Sequence, residues 1–451
     1  MKDRFLVWCW KHTRVLAFFL GWIVLCLVLF IYFGSPIVSA KADKTKLMPD
    51  KLMDGHYQIE QSCNACHTVF RGVQQEACTN CHAAELKAVN DSHAVKKFRD
   101  PRNAVKLEEI NALKCKTCHD DHKPKTTRTM GVTIEPSFCM HCHDDIAEER
   151  SSHKEFDFET CRQCHNYHDN TALYENFVQK HLNEPNNLEK TSRLQSNFNE
   201  VYPKLLNRNN TPLTIDQQNG PGDSVQKLIK DWAGSTHARS GVNCKDCHET
   251  KGLLWNDKPE KGTCTKCHAM EMKGFLESRH GMRLDQENLS PMKPGMARIS
   301  MNADVSEKEL TCNSCHGAHN FDTRSAEVDS CLECHNDQHS IAFKKSSHYK
   351  LWASKESTSK DGVSCANCHF PRKQIRMQGI ERVLIEHNQN NNLRPNQKMI
   401  RSVCMNCHGY GFSLDSLSDA ELIINNFMGK PSKQSEVPKM VARELDKGAV
   451  K

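Results

Sequence analysis

The apolar residues of this 451-residue chain gather at its two ends and form no regular stripe between them. Near the N-terminus, Lys2, Arg4, Lys11 and Arg14 precede Val15–Phe33, a run of nineteen residues without a charge. That is the length at which a helix crosses a bilayer. The run predicts a retained membrane anchor over residues 1–40. A cleaved signal peptide is the competing reading, because Val38-Ser39-Ala40 offers the small residues a signal peptidase accepts, although a secretory apolar core is usually only about 7 to 15 residues long. Either reading exports the chain.

Near the other end, Ser418-Asp419-Ala420-Glu421 reads as a capping box ahead of Leu422, Ile423 and Phe427, and Gly429 and Pro431 stop the run. A short helix is predicted over 419–428, followed by a charged, exposed tail from Lys430 to Lys451 in which Val441–Leu445 has helical spacing. Tyr174–Leu182 also has a helical pattern. No alternation of apolar and polar residues is sustained anywhere, so no strand of any length is expected. The fold class is mainly α with extensive loops, almost no β-sheet and one N-terminal transmembrane helix.

Cysteine changes this picture. Cys161-Arg162-Gln163-Cys164-His165-Asn166-Tyr167-His168 holds two thiols three positions apart with a histidine directly after the second, the attachment signature of a c-type haem. Each sulfur adds to one porphyrin vinyl group, and the adjacent imidazole then reaches the iron. The signature also occurs at Cys63, Cys66 and His67; Cys78, Cys81 and His82; Cys115, Cys118 and His119; and Cys139, Cys142 and His143. It recurs at Cys244, Cys247 and His248; Cys264, Cys267 and His268; Cys312, Cys315 and His316; Cys331, Cys334 and His335; Cys365, Cys368 and His369; and Cys404, Cys407 and His408. These eleven motifs use 22 of the 24 cysteines, leaving Cys9 and Cys26 in the anchor and no pair for a disulfide framework. A zinc ribbon would not require a histidine after every pair, and a thioredoxin-like site would show one pair beside a βαβ pattern. Eleven covalently bound haem c groups are expected.

A composition of 38% hydrophobic and 7% aromatic residues agrees with this, since the about 37 residues per haem that remain after the anchor can do little more than wrap each macrocycle. The porphyrins must supply the core; without them too little surface is buried to offset chain entropy. The formal charge of +6 belongs to the polypeptide alone. A bis-histidine haem adds about −1 when ferric and −2 when ferrous. The loaded protein then carries about −5 or −16, and no nucleic-acid partner is implied.

Each iron needs a second axial ligand to be closed and low-spin. His12 precedes the apolar run and His141 lies between the thiols of its own motif, so both are read as non-ligands. Twelve histidines remain for eleven irons: His56, His93, His122, His153, His168, His181, His237, His280, His319, His339, His348 and His387. His168 follows His165 on one short turn and is expected to ligate a neighbouring haem. The sixteen methionines are read as packing.

The motifs divide the chain into a pentahaem module at 45–182, a haem-free linker rich in Asn, Gln and Pro at 183–230, a hexahaem module at 231–410, and a C-terminal helix and tail at 411–451. The competing reading of the linker is a long surface loop within one continuous haem stack.

Gly362-Val-Ser-Cys365-Ala-Asn-Cys368-His369-Phe370-Pro-Arg372, followed by His387 and by Cys404-Met-Asn-Cys407-His408, resembles the closing segment of the superfamily of cytochrome c nitrite reductase, hydroxylamine oxidoreductase and octahaem tetrathionate reductase. The resemblance covers roughly 231–410 and implies that His387 is a sixth ligand. Phe370 stands where that superfamily usually has Met, and no CxxCK motif is present. A tyrosine crosslink would fall to Tyr349 or Tyr410, and nothing singles out either. The N-terminal module resembles small class III multihaem cytochromes in motif density. An anchor followed by haems is similar to the membrane-anchored quinol dehydrogenases, which carry fewer haems.

The expected function is therefore a periplasmic, membrane-anchored undecahaem cytochrome. It would relay electrons from the quinol pool or a membrane donor to a redox partner protein in the periplasm or beyond, and would act as a carrier more than an enzyme. The alternative is an oxidoreductase of a small nitrogen or sulfur compound with one open haem in the C-terminal half, where Arg239, Arg279 and Arg283 would hold an anion.

Overall fold

The computed structural model describes residues 2–29, 43–88, 101–109, 111–128, 131–150, 153–154, 167–168, 175–188, 194–197, 200–201, 211–220, 225–250, 252–354, 362–393 and 396–448. Short helices, 3-10 turns and loops dominate them, as the sparse apolar pattern predicts. The first helix, α1 (Lys2–Leu29), is 28 residues long. Its side chains from Ala17 to Leu29 are all exposed, Phe18 at 64% and Trp22 at 53% among them. Among the described residues no helix is long and apolar enough to cross a membrane, and residues 30–33 of the expected span lie outside the described residues. The longest helix after α1 is α2 (Gln75–Ala88), which carries one of the CxxCH motifs.

The expectation of no strand fails at two hairpins. The smaller pairs β1 (His67–Thr68) with β2 (Gly72–Val73). The larger pairs β3 (Arg372–Met377) with β4 (Ile380–Ile385), in register from Met377 opposite Ile380 to Arg372 opposite Ile385. Gln378 and Gly379 join them with φ of 49° and 79°, the two-residue turn whose twist matches that of the strands. The alternation that would have announced β4 is masked because Arg382, 2% exposed, occupies an inward position beside Leu384. Its guanidinium is paired there with Glu271.

The largest apolar core joins helices from opposite parts of the chain. It unites α3 (Glu175–His181), α4 (Lys398–Ser402), α5 (Tyr410–Ser418), α6 (Ala420–Ile424) and α7 (Val437–Gly448) around Val178, Ile400, Tyr410 and Leu414, all buried. α5 starts at Gly409, where a Cβ would collide with the Glu184 carbonyl oxygen. The cap of α6 is Asp419, whose Oδ1 accepts from the Leu422 amide at 3.1 Å, whereas Ser418 closes the preceding helix by donating to the Leu414 carbonyl at 2.9 Å. α6 stops earlier than predicted because Asn426 and Phe427 take φ of 51° and 56°. The tail is not simply exposed. Val437 and Val441 of α7 are 9% and 6% exposed in this core, so a helix docks where a solvated tail was expected.

Contacts also run across the expected linker. The Asn187 amide donates to the Cys407 carbonyl at 2.8 Å, and the Val383 amide donates to Asn197 Oδ1 at 2.9 Å. A second, smaller cluster gathers Val328, Phe343 and Trp352, with the Arg324 guanidinium 4.2 Å from the Trp352 ring centre.

Candidate haem-binding histidine pairs

Where the motif folds as one helical turn, as at Cys244–His248, Cys312–His316 and Cys365–His369, a polar residue just before it caps the turn. Asn243, Thr311 and Ser364 each exchange hydrogen bonds with the third residue of the turn. Positions i, i+3 and i+4 then share one face, which aims both sulfurs and the imidazole the same way. The capped turn is a preformed cradle for one porphyrin edge.

Nine motif histidines each face a histidine from outside the motifs. The pairs are His67 with His122, His82 with His56, His119 with His168, His248 with His319, His268 with His237, His316 with His387, His335 with His280, His369 with His339 and His408 with His348. Their ring centroids lie 5.8 to 6.5 Å apart. Two metal–imidazole bonds of about 2.1 Å plus the two ring radii place axial imidazoles about 6.4 Å apart, centre to centre. The residues therefore fit a haem iron between each pair. His168 faces His119, and the motif it follows in sequence, Cys161–His165, lies outside the described residues.

The far nitrogens orient the rings. His119, His122, His248, His339 and His387 donate Nδ1–H to the carbonyls of Gly131, Asp50, Asn256, Ile423 and Ile385 at 2.6 to 3.0 Å. His56 does so to Asp121 Oδ1 at 2.8 Å. A donated Nδ1–H fixes the tautomer and leaves Nε2 as the lone-pair ligand. Gln389 lies against His280 Nδ1, and its own Oε1 is buried without a partner. With the amide turned over, Oε1 accepts from His280 and both groups are satisfied. His237, His319 and His408 have a buried Nδ1 with no partner. His339 Nε2 stands 3.2 Å from Asn426 Nδ2.

Burial favours the neutral imidazole. It pushes His237, His280, His316, His348 and His369 down to about 4, so these rings present a lone pair at neutral pH. His82 is shifted the other way, upward, by its hydrogen bond to Glu85. Among the described residues no cluster of three or more His, Cys, Asp or Glu side chains is arranged to hold a bare metal ion.

Cysteines of successive motifs touch. The side chains of Cys78 and Cys115 adjoin, as do those of Cys264 and Cys312, and of Cys331 and Cys365. Cys66 is within electrostatic reach of Cys78, Cys118 of Cys139, Cys247 of Cys264, Cys315 of Cys331, and Cys368 of Cys404. Among the described motifs, neighbours in sequence are thus neighbours in space. Phe370 lies between two sites, its ring centre 5.8 Å from His387 and 6.3 Å from His280.

Two motif histidines, His143 and His165, remain to be matched. Cys161, Cys164, His165 and His93 lie outside the described residues, and His153 and His181 are the described candidates. His181 Nδ1 is 2.6 Å from Glu184 Oε1, with its ring 4.3 Å from Phe177. His141 is exposed, with Nδ1 3.3 Å from its own Phe138 carbonyl, in keeping with its reading as a non-ligand. The supporting residues Glu85, Lys398, Gln389 and Asp121 carry no signal in motif spacing and were not singled out from sequence. Of the arginines considered as anion holders, Arg239 donates to Gly234 O and Thr236 Oγ1, and Arg283 to Gln58 O and Ser290 O.

No curated protein matches the chain. Residues 236–295 and 305–379 match the family model of cytochrome c3. The matched stretch holds five of the motifs, from Cys244 to His369, and stops before His387 and Cys404. It gives no support to the nitrite reductase and hydroxylamine oxidoreductase superfamily. The C-terminal half therefore carries a cytochrome c3-like multihaem domain, for which covalent haem c and a periplasmic setting are expected.

Proposed function

We propose that the protein is a periplasmic, membrane-anchored undecahaem cytochrome that relays electrons from the quinol pool or another membrane donor to a periplasmic or outer redox partner. The single observation that carries this reading is the closure of the histidine pairs: nine motif histidines each face a second histidine at 5.8 to 6.5 Å. An iron held on both faces exchanges electrons but offers no position for a substrate. Bound haem would supply the one-electron couple, and the chain's own residues would hold the iron from both faces, with the tautomers of six of the histidines fixed by Nδ1 hydrogen bonds. The motif residues at Cys139, Cys142 and His143 and at Cys161, Cys164 and His165 complete the count of eleven. The enzymatic alternative loses its anion holders in part, since Arg239 and Arg283 are engaged with the chain itself. The exposed apolar side chains of α1 support the anchor.

The test uses the mature full-length protein. Its intact mass should include eleven haems, and electron paramagnetic resonance of the oxidised form should show low-spin haem only. A stoichiometric high-spin signal together with turnover of nitrite, hydroxylamine or tetrathionate would replace the relay by the enzyme.

A further inference from the structure

Two runs of haem sites, each ordered by its cysteine contacts, leave open how electrons pass between them. The His56–His82 site stands out because both of its histidines are tied to the other run. His56 lies in a segment clamped to residues beyond His280: Arg283 donates to the Gln58 carbonyl at 2.6 Å, and Ser62 Oγ donates to Gln286 Oε1 at 3.0 Å. The Arg298 guanidinium covers the Tyr57 ring at 4.4 Å. On the other side, His82 Nδ1 faces Glu85 Oε2 at 3.5 Å, and Lys398 Nζ donates to Glu85 Oε1 at 3.0 Å across 313 positions of sequence. Lys398 begins α4, which leads directly to Cys404.

The same site touches its own run in two directions. Asp121, which accepts from His56, precedes His122, the partner of His67, and the side chain of Cys78 adjoins that of Cys115. Toward the second run, Glu277 acts electrostatically on both Cys81 and His82 and lies three residues before His280, which faces His335.

We propose that the His56–His82 site is the crossing point between the two runs, and that Glu85 and Lys398 are positioning residues that hold it against the second run. The proposal rests on the relay reading above. The step moves one electron from one site to its neighbour and neither makes nor breaks a bond, with a membrane quinol or similar donor as reductant and the partner protein as oxidant. The other seam between the two parts of the chain, where α3 meets Tyr410, is built by a helix that holds no motif but carries His181, a candidate ligand for His143 or His165, and it is the rival crossing that the experiment must exclude. Arg401, over the Phe177 ring at 4.5 Å, marks that seam.

The experiment places a ruthenium photosensitiser on the fully exposed hairpin position beside His67, through Phe70→Cys in a Cys9→Ser, Cys26→Ser background. A reporter is set in the last site by His348→Met, since Met/His ligation raises the potential relative to bis-histidine and changes the spectrum. Flash reduction of the reporter is timed in the full chain. Lys398→Gln and Glu85→Gln should each slow it at least about threefold, Lys398→Arg should restore it to within about twofold, and the surface control Lys439→Gln should leave it unchanged. Unchanged rates in Lys398→Gln and Glu85→Gln, or slowing by Arg401→Gln instead, overturn the crossing point. A reporter that is never reduced in the parent overturns the relay reading itself, so the two failures are distinguishable. If a glutamine variant loses haem by mass, the Lys398→Arg rescue and the Arg401→Gln arm still decide between the seams.

Discussion

His387 faces His316 with ring centroids 6.3 Å apart, and the carbonyl of Ile385, at the end of strand β4, accepts its Nδ1–H at 2.9 Å. The hairpin thus brings a histidine from beyond the tenth motif to face the motif histidine of the eighth. Resemblance to the nitrite reductase superfamily had implied a ligand role for His387 without naming its partner.

That geometry makes His387→Ala a selective lesion. The variant should open the His316 site alone, adding one high-spin signal that the parent lacks. Carbon monoxide should bind one site of the reduced variant and none of the reduced parent. Binding to the parent at the same stoichiometry would show that His387 does not close an iron.

Much of the site was legible because its chemistry is local. A CxxCH motif states its cofactor in five residues, and counting histidines gives supply and demand. Which histidine serves which motif is not local, since His122 crosses to His67 and His387 to His316 through folds that spacing does not encode. The β3–β4 hairpin escaped for a different reason. Arg382 is buried where alternation calls for an apolar side chain, and Glu271, on a distant helix, offsets the charge. The docking of α7 was hidden because Val437 and Val441 sit among charged residues, and their partner α3 lies far upstream.

Asp419 carries a pH prediction. Its carboxylate accepts from the Ser432 amide at 2.9 Å, the Ser432 hydroxyl at 2.7 Å and the Leu422 amide at 3.1 Å. These bonds, those to Ser432 foremost, pull it from 3.8 down to about 2. A folded-state value below the unfolded one contributes stability above the unfolded value, which is lost as pH falls through the folded one. The melting temperature of the parent should therefore drop between about pH 4 and pH 2 by an increment that Asp419→Asn lacks. Other carboxylates titrate in the same range, so the difference between the two proteins is the quantity to measure. Parallel curves for parent and variant would remove Asp419 from the stability of the C-terminal helices.

The anchor is decided by extraction. Among the described residues no helix is long and apolar enough to cross a membrane, so the proposed anchor rests on the nineteen uncharged residues Val15–Phe33, the last four of which lie outside the described residues. Its exposed Phe18, Phe19, Trp22, Ile23 and Leu27 have no partner in the described chain to bury them. Lys2, Arg4, Lys11 and Arg14 precede the apolar run, but Lys41, Lys44 and Lys46 flank its other end, so the positive-inside bias is weak and the expected orientation rests mainly on the haem motifs. A high-salt wash screens surface charge but leaves a spanning helix in place. The mature protein should stay with the cytoplasmic membrane through that wash and leave only with detergent, and deletion of residues 2–33 behind a cleavable export signal should release it with its haems intact. An N-terminus that begins at Lys41, on protein found in the soluble periplasm, would mean that the segment is a signal peptide and that electrons enter from a soluble donor or by transient docking.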